Sequence, residues 1–273
     1  MLRLFINLDR SPIRLKSIQE QVNNLNIEFK RIPAIDGNNL STKQIESLTP
    51  NILSSEKIWF PFPLIKSEVA CFLSHRLCWE RLLTSSEKYA LVVEDDIQFT
   101  KNAITLIESD QWIPEKVDLI QLHSSVNPET FRVKNSHINI ESPLSCNLYE
   151  IISPTAIGTQ AYIISRHAAK VALEKSKRII APVDEFLFSI KSPFRKVIKS
   201  YKINPGIVHT KMGTVSTICT DKRTRKKNWI TRLHPMSLYL KFFVLFLTLT
   251  NKTKIQFCIE GGGKTLKSNQ TSH

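Results

Sequence analysis

Glu94, Asp95 and Asp96 follow directly on the apolar run Tyr89-Ala90-Leu91-Val92-Val93. Such a run has the length of a buried strand. Three carboxylates cannot continue it into a core unpaired, because desolvating them is costly. The strand therefore stops there, with the acids at its C-terminal edge, where open α/β sheets bind ligands. Clustered carboxylates are hard oxygen donors that suit a divalent cation, and such a cation commonly brings phosphate with it. A solvated acidic turn would show the same local pattern. In extended chain, alternate side chains share a face, which would group Glu94 with Asp96 and put Asp95 opposite. A turn breaks that alternation, so spacing alone leaves open which acids touch a metal.

Asp184-Glu185, between Pro182 and Phe186, is a second acidic pair in apolar surroundings. A carboxylate in a partly dry pocket has a raised pKa and can accept a proton as a general base, or it can bind a sugar hydroxyl. Asp184 equally suits the N-cap of the helical pattern that follows. Cys71, His75 and Cys78 fall at i, i+4 and i+7 on one helix face. A structural zinc site wants four protein ligands, and no second Cys/His pair lies nearby in sequence. Buried thiols are ordinary core residues. Ser74-His75 then reads as a polar pair in a buried helix that must find partners, a ligand among them. Asp9, Arg10 and Arg14 follow the first strand and could hold a base, ribose or phosphate, or form a solvated helix face. His209, after Pro205-Gly206, is either a metal or phosphate ligand or a structural histidine. No G-x-G-x-x-G, Walker loop, H-E-x-x-H or G-x-S-x-G occurs. This argues against dinucleotide enzymes, P-loop NTPases, zinc proteases and serine hydrolases.

These residues need elements to position them. Leu2–Leu8 reads as a first strand. Ser11-Pro12 follows as a helix start, with Ser as N-cap and Pro at the first helical position. Ile13, Leu15, Ile18, Val22 and Leu25 mark the buried side of that helix. Phe29–Ile32 reads as a second strand before the turn signal Asp36-Gly37. Glu68–Leu83 is the clearest helix, with Val69, Phe72, Leu73, Leu77 and Leu82 to one side. It leads into the strand 89–93. Further strands are expected at 117–122 and 159–165, and helices at 166–174 and 184–189. Residues 123–148 read as a long loop with weak strands. The alternation predicts an α/β domain.

The chain has 273 residues, 42% of them apolar, enough for a substantial core and against global disorder. Five cysteines at scattered spacings, with no C-x-x-C, point to a reducing compartment. The first residues hold no apolar stretch long enough for a signal peptide. The net charge of +14 is uneven. Residues 222–273 hold eleven Lys/Arg against Glu260 alone, so this tail carries +10 of it. A basic cluster from Lys222 to Arg232 precedes the apolar run 238–247, which is too short to span a bilayer. The combination predicts attachment to an anionic membrane surface, with a disordered end; a core helix is the alternative. We divide the chain into 1–221, the α/β domain, and 222–273, the basic and partly apolar segment.

Several of these pieces fall into one order. Phe5-Ile6-Asn7-Leu8-Asp9-Arg10-Ser11-Pro12-Ile13-Arg14 resembles the opening motif of glycosyltransferase family 25, the lipooligosaccharide and collagen galactosyltransferases. Ile35-Asp36-Gly37, Lys66-Ser67-Glu68-Val69-Ala70-Cys71-Phe72-Leu73-Ser74-His75 and Leu91-Val92-Val93-Glu94-Asp95-Asp96 continue the likeness. Gly158-Thr159-Gln160-Ala161-Tyr162-Ile163-Ile164-Ser165 and Pro182-Val183-Asp184-Glu185-Phe186-Leu187 complete it. Ser67 stands where the family's helix start carries glycine, and the segment around His209 matches poorly.

The resemblance implies a GT-A-type nucleotide-sugar-binding domain: a Rossmann-like mixed sheet flanked by helices. It implies an inverting galactosyltransferase that uses a UDP-sugar and acts in lipopolysaccharide biosynthesis. Glu94 and Asp96, with His209, would hold manganese or another divalent cation against the diphosphate. Asn7, Asp9, Arg10, Arg14 and Asp36 would lie by the nucleotide. Lys66, Glu68, Ser74, His75, Glu94 and Asp95 would line the donor pocket, and Asp184 would be the base or a sugar contact. The expected partners are a UDP-sugar, a lipid-linked oligosaccharide acceptor and an anionic membrane, not nucleic acid. The expected place is peripheral, on the cytoplasmic face of a bacterial inner membrane. Two other classes share parts of this pattern: a metal-dependent nucleotidyltransferase or phosphotransferase, and a non-enzymatic basic nucleic-acid- or membrane-binding protein.

Overall fold

The computed structural model describes residues 1–49, 60, 63–124, 131–140, 145–153 and 158–211, and the backbone of 129–130 and 253–257. The first half is a run of parallel strands. β1 (Leu2–Asn7) leads into α1 (Pro12–Asn24), then β2 (Lys30–Pro33), a 3-10 turn (Gly37–Asn39), α2 (Thr42–Leu48) and α3 (Lys66–Leu83). β3 (Tyr89–Glu94) follows, with β4 (Ile97–Phe99), α4 (Ile104–Ile107) and β5 (Leu119–Gln121) after it. The second half contributes β6 (Glu129–Ile140), β7 (Cys146–Ile151), β8 (Ala161–Ser165), α5 (Arg166–Lys175) and α6 (Val183–Phe188). It ends in β9 (Ser200–Asn204), β10 (Val208–Thr210) and β11 (Thr253–Phe257).

Nine strands form one mixed sheet in the order β11-β6-β7-β9-β5-β8-β3-β1-β2. β2, β1 and β3 run parallel, β8 lies antiparallel between β3 and β5, and β5 and β9 are parallel again. β10 pairs with β4 in a separate two-stranded ribbon. The central strands read as continuous apolar runs because both faces are covered. Leu4, Ala90, Val92 and Ile164 face one core with Phe72, Trp79 and Phe186 of α3 and α6. Their neighbours Phe5, Leu91, Val93 and Ile163 face the other, with Ile18 and Val22 of α1 and Leu106 of α4.

The structure corrects the sequence reading at several points. The stretch expected to be loop at 123–148 holds β6 and the start of β7, and β7 pairs with β9. β4, α4, β9 and β10 were not expected; each is short and lacks a distinct period. Thr253–Phe257 adds an edge strand to β6 from a stretch read as polar tail. Pro12 does open α1, but the Ser11 side chain makes no capping hydrogen bond. Asp184 is not an N-cap: Pro182 holds that position, and Asp184 sits in the first turn of α6. The basic cluster at 222–232 and the apolar run 238–247 lie outside the described residues.

Candidate active site

β1 and β3 are neighbours in register, with Ile6 opposite Glu94. Both strands therefore end at the same edge, and Asn7 and the acid triplet come together there. The chain leaving β2 supplies the next wall. Ala34 N–H donates to the Asn7 carbonyl at 2.9 Å, and Ile35 N–H donates to Ser74 Oγ at 2.9 Å. Ser74 in turn donates to the Ala70 carbonyl at 2.8 Å, so its hydroxyl ties this loop to α3. Gly37 brings the loop closer still: a Cβ there would lie 3.0 Å from the Lys66 carbonyl group. Between these walls lies a cavity of about 100 Å³ whose polar lining includes Asn7, Arg10, Arg14, Ser74, His75, Glu94, Asp95 and Asp96.

Asp95 is the anchored member of the triplet. Asn7 Nδ2 donates to its Oδ2 at 2.7 Å and an Arg14 guanidinium N–H to its Oδ1 at 2.9 Å. Arg31 closes the network by donating to Asn7 Oδ1 at 2.9 Å and pairing with Asp9. Burial pushes the Asp95 carboxyl upward and the Asn7 and Arg14 hydrogen bonds oppose that, leaving it somewhat raised. Its oxygens are thus committed to protein donors. Asp36, between the lining residues Ile35 and Gly37 but not itself in the lining, accepts Asn38 N–H and pairs with Arg10, which together hold its carboxyl low.

Glu94 faces the other way. Thr159 Oγ1 donates to its Oε1 at 2.7 Å, and His75 Nε2 stands 3.5 Å from the same oxygen. His75 is fixed from behind: its Nδ1 lies 2.9 Å from Tyr162 Oη, which also accepts Trp79 Nε1–H at 3.0 Å. Burial alone would raise the Glu94 carboxyl, but His75 and Thr159 outweigh it and hold it below its ordinary value. Asp96 has weaker support, an Arg14 guanidinium nitrogen 3.9 Å from its Oδ2. Its Oδ1 is buried without a hydrogen-bond partner among the described residues. Burial first, and the charge of Glu94 second, push its carboxyl up to about 7. Neighbouring carboxylates cannot both ionise freely in a dry site. Here Glu94 ionises first, and the Asp96 carboxyl is held above its ordinary range.

β10 runs beside this edge. His209 lies opposite Gln98 of β4, and Lys211 N–H donates to the Asp96 carbonyl at 2.8 Å. His209 Nδ1 is buried without a hydrogen-bond partner among the described residues, and burial lowers the ring's pKa. His209 is not among the residues lining the cavity. His123 is close by in charge and in strand pairing. Burial, then the charge of Lys202, push its ring down to about 3, so it stays neutral. Lys202 itself is fully buried and donates to Gln121 Oε1 at 3.1 Å and to the His123 carbonyl.

Asp184 approaches from α6. Its Oδ1 accepts Glu185 N–H at 2.8 Å, and its Oδ2 accepts Gly158 N–H at 3.5 Å. Gly158 has φ = 95°, a conformation that favours glycine, and it feeds directly into Thr159. Burial raises the Asp184 carboxyl, and the charge of Glu94 adds to it. Asp184 is not among the residues lining the cavity; the charge of Glu94 reaches it across Gly158 and Thr159, which bond to Asp184 and Glu94 respectively.

Lys66 and Glu68, expected in the donor pocket, are not among the residues lining the cavity. Lys66 Nζ donates to the Leu40 carbonyl at 3.1 Å, and Glu68 Oε2 accepts Ile65 N–H at 3.0 Å, closing the start of α3. Ser67 and Cys71 line the cavity on that helix. Thr159, Tyr162, Trp79, His123 and Lys202 were missed as individual site residues. Thr159 and Tyr162 lie inside a motif the sequence did show. His123 and Lys202 carry no local signal, because only strand pairing brings them here.

A mixed α/β sheet with an acid-lined cavity at the carboxyl ends of its parallel strands defines a ligand-binding protein of the α/β class. The chain belongs to glycosyltransferase family 25 (LPS biosynthesis protein), whose model matches residues 1–187. The lipooligosaccharide biosynthesis protein lex-1 of Haemophilus influenzae is 30% identical over 153 residues, covering 53% of this chain and 49% of that protein. Its counterpart lic2B, also from Haemophilus influenzae, is 25% identical over 210 residues, covering 74% of this chain and 73% of that protein. Human procollagen galactosyltransferase 2 is 29% identical over 193 residues, covering 68% of this chain and 29% of that protein. The matched stretch thus spans about half of lex-1 and under a third of the collagen enzyme. Among solved structures, a glycosyltransferase involved in the glycosylation of the major capsid of PBCV-1 aligns with a TM-score of 0.40 at 10% identity, covering 79% of this chain and 95% of that one.

Proposed function

We propose that this chain transfers a hexose, galactose before glucose, from a UDP-sugar to a hydroxyl of a lipooligosaccharide or lipopolysaccharide glycan, with inversion at the anomeric carbon. The observation that carries the reading is the division of labour in the triplet. Asp95 is locked by Asn7 and Arg14, while Asp96 offers a buried oxygen with no hydrogen-bond partner among the described residues. Membership of a family with lipooligosaccharide biosynthesis relatives supports the acceptor class.

A divalent cation fits the residues present. Asp96 and Glu94 are hard oxygen donors whose mutual repulsion a cation would relieve; His209, with a ring nitrogen unpartnered among the described residues, lies outside the cavity lining and is not gathered with them. Mn²⁺ held by these side chains would supply charge neutralisation for the departing diphosphate. The chain's own residues do the rest. Arg14 and Arg10 bring positive charge to the cavity mouth, and the loops after β1 and β2 bound the nucleotide end. Asp184, its carboxyl raised by burial, takes the acceptor hydroxyl proton as the new C1–O bond forms. The C1–O bond to the diphosphate breaks, and its electron pair leaves with UDP. One base and an in-line attack suffice for inversion.

The test is a panel of UDP-sugars assayed for UDP release with and without Mn²⁺. UDP release that needs Mn²⁺, prefers UDP-galactose and disappears in Asp96→Ala is the expected result. Pyrophosphate release instead of UDP would replace this reading with a nucleotidyltransferase. Full activity of Asp96→Ala in EDTA would end the metal assignment.

A further inference from the structure

The spacing of Cys71, His75 and Cys78 suggests one metal face, and the fold divides it. Cys78 is fully buried in the core against Trp79 and Leu82. Cys71 and His75, one turn apart on α3, instead line the cavity and meet Glu94 arriving on β3. One ligand atom from each of Cys71, His75 and Glu94 lies within 4.8 Å of the other two. His75 Nε2 is buried without a hydrogen-bond partner among the described residues, with Glu94 Oε1 at 3.5 Å. Zinc–ligand bonds of ~2.0–2.3 Å imply ligand atoms roughly 3.3–3.8 Å apart in a tetrahedral site. The His75–Glu94 separation of 3.5 Å already falls in that range.

The support behind the histidine is also that of a metal ligand. Such a histidine donates its other ring N–H to a fixed acceptor. In the tautomer that carries its proton on Nδ1, Tyr162 Oη, 2.9 Å away and itself held by Trp79, is that acceptor. The ligand set is sulfur, nitrogen and one carboxylate, leaving a fourth position open to the cavity. Softness separates it from the oxygen-rich pair at Asp96: thiolate selects zinc, whereas carboxylates suit manganese.

We infer that Cys71, His75 and Glu94 form a thiophilic metal site, taking Zn²⁺ in the same cavity as the acid triplet. On binding, the Cys71 thiol gives its proton to solvent and the sulfur joins the ion. The site rests on the geometry of three side chains, not on sugar transfer. Only its consequence depends on the proposed function: Zn²⁺ claims Glu94 and so inhibits a Mn²⁺-supported reaction.

Cobalt is the probe. The full chain, reduced and stripped with chelator, is titrated with Co²⁺ and followed by absorption. One Co²⁺ per chain with a thiolate-to-cobalt charge-transfer band, displaced by Zn²⁺ but not by equal Mn²⁺, is expected. Cys71→Ser should abolish the band and weaken Zn²⁺ by at least about tenfold, the low end of what losing even an outer-shell partner costs. Glu94→Gln, which keeps the side-chain volume, is an independent arm and should weaken Zn²⁺ as well. Absence of the band in the unaltered chain overturns the site, as does a band that survives in folded Cys71→Ser. A chain that transfers sugar yet shows no band loses this inference alone; a chain with the band and no transfer loses only the proposed function.

Discussion

Three adjacent carboxylates with three different environments are the centre of this molecule. Asp95 is bonded to Asn7 and Arg14, Glu94 is held by Thr159 and His75, and Asp96 is left with a buried oxygen that has no hydrogen-bond partner among the described residues. The pH dependence follows. The Asp96 carboxyl rises from an ordinary 3.8 to about 7 in the fold. A raised carboxyl contributes stability that is full below about pH 4 and is lost as pH rises through about 7. In chelator, the melting temperature of the unaltered chain should fall relative to Asp96→Asn between pH 5 and 8. Mn²⁺ should return part of that loss at pH 8. A difference between the two proteins that does not change with pH would show that Asp96 is not held protonated. Asp184→Asn addresses the base. It keeps the shape but cannot take a proton, so transfer should fall by ~10²–10⁴ while UDP affinity holds. A loss under about tenfold would remove Asp184 from proton transfer. The acids themselves were legible in sequence, because an apolar strand that ends in three carboxylates is unusual by charge alone. Asn7, Arg14 and Thr159 lie in the recognised motifs too, but which acid each one holds was not legible: β1, α1 and the chain entering β8 come side by side only in the fold.

Among the elements, α3 decides the shape of the cavity. Its inner face carries Phe72, Trp79 and Leu82 to the core, and Ser74 and His75 on the same helix are buried at the site edge. The Gly37 turn packs on its first residues with room for no side chain: a Cβ would sit 3.0 Å from Lys66 C and O and 3.1 Å from Ser67 N. Those are backbone atoms and cannot rotate away. Gly37→Ala should therefore cost ~1–3 kcal/mol, as overpacking does, and should weaken UDP-sugar binding by moving Ser67 and the β2 loop together. Urea denaturation with a donor-binding titration checks both. An unchanged midpoint would mean that the start of α3 yields freely. The sequence showed α3 and β3 because their apolar runs are long. It hid β6 and β7, where the exposed polar residues Lys134, Asn135 and Ser136 mask the pairing. It also hid β10, three residues long, although that strand carries His209.

At the scale of the whole molecule, charge is separated from chemistry. The α/β domain holds the acids and the cavity, while residues 222–273 carry +10 of the net +14. That imbalance suits a protein whose acceptor is a growing glycan on an anionic membrane, and we extend the proposed function to peripheral attachment at such a surface. No helix among the described residues is long and apolar enough to cross a membrane. Thr253–Phe257 pairs with β6, so deleting everything after residue 221 would remove an edge strand together with the basic cluster. Charge reversal is the cleaner test. Changing Lys222, Arg223, Arg225, Lys226 and Lys227 to Glu keeps the chain length and leaves β11 in place. Each basic residue near an anionic surface contributes ~1 kcal/mol, so the five together should dominate attachment. The unaltered chain should sediment with phosphatidylserine vesicles at low salt and dissociate as salt shortens the Debye length to ~3 Å near 1 M. The reversed chain should stay in the supernatant, with its melting temperature and its UDP-sugar hydrolysis unchanged. Equal sedimentation of both chains would move attachment away from this cluster. Loss of folding in the reversed chain would instead assign the cluster to the structure of the domain.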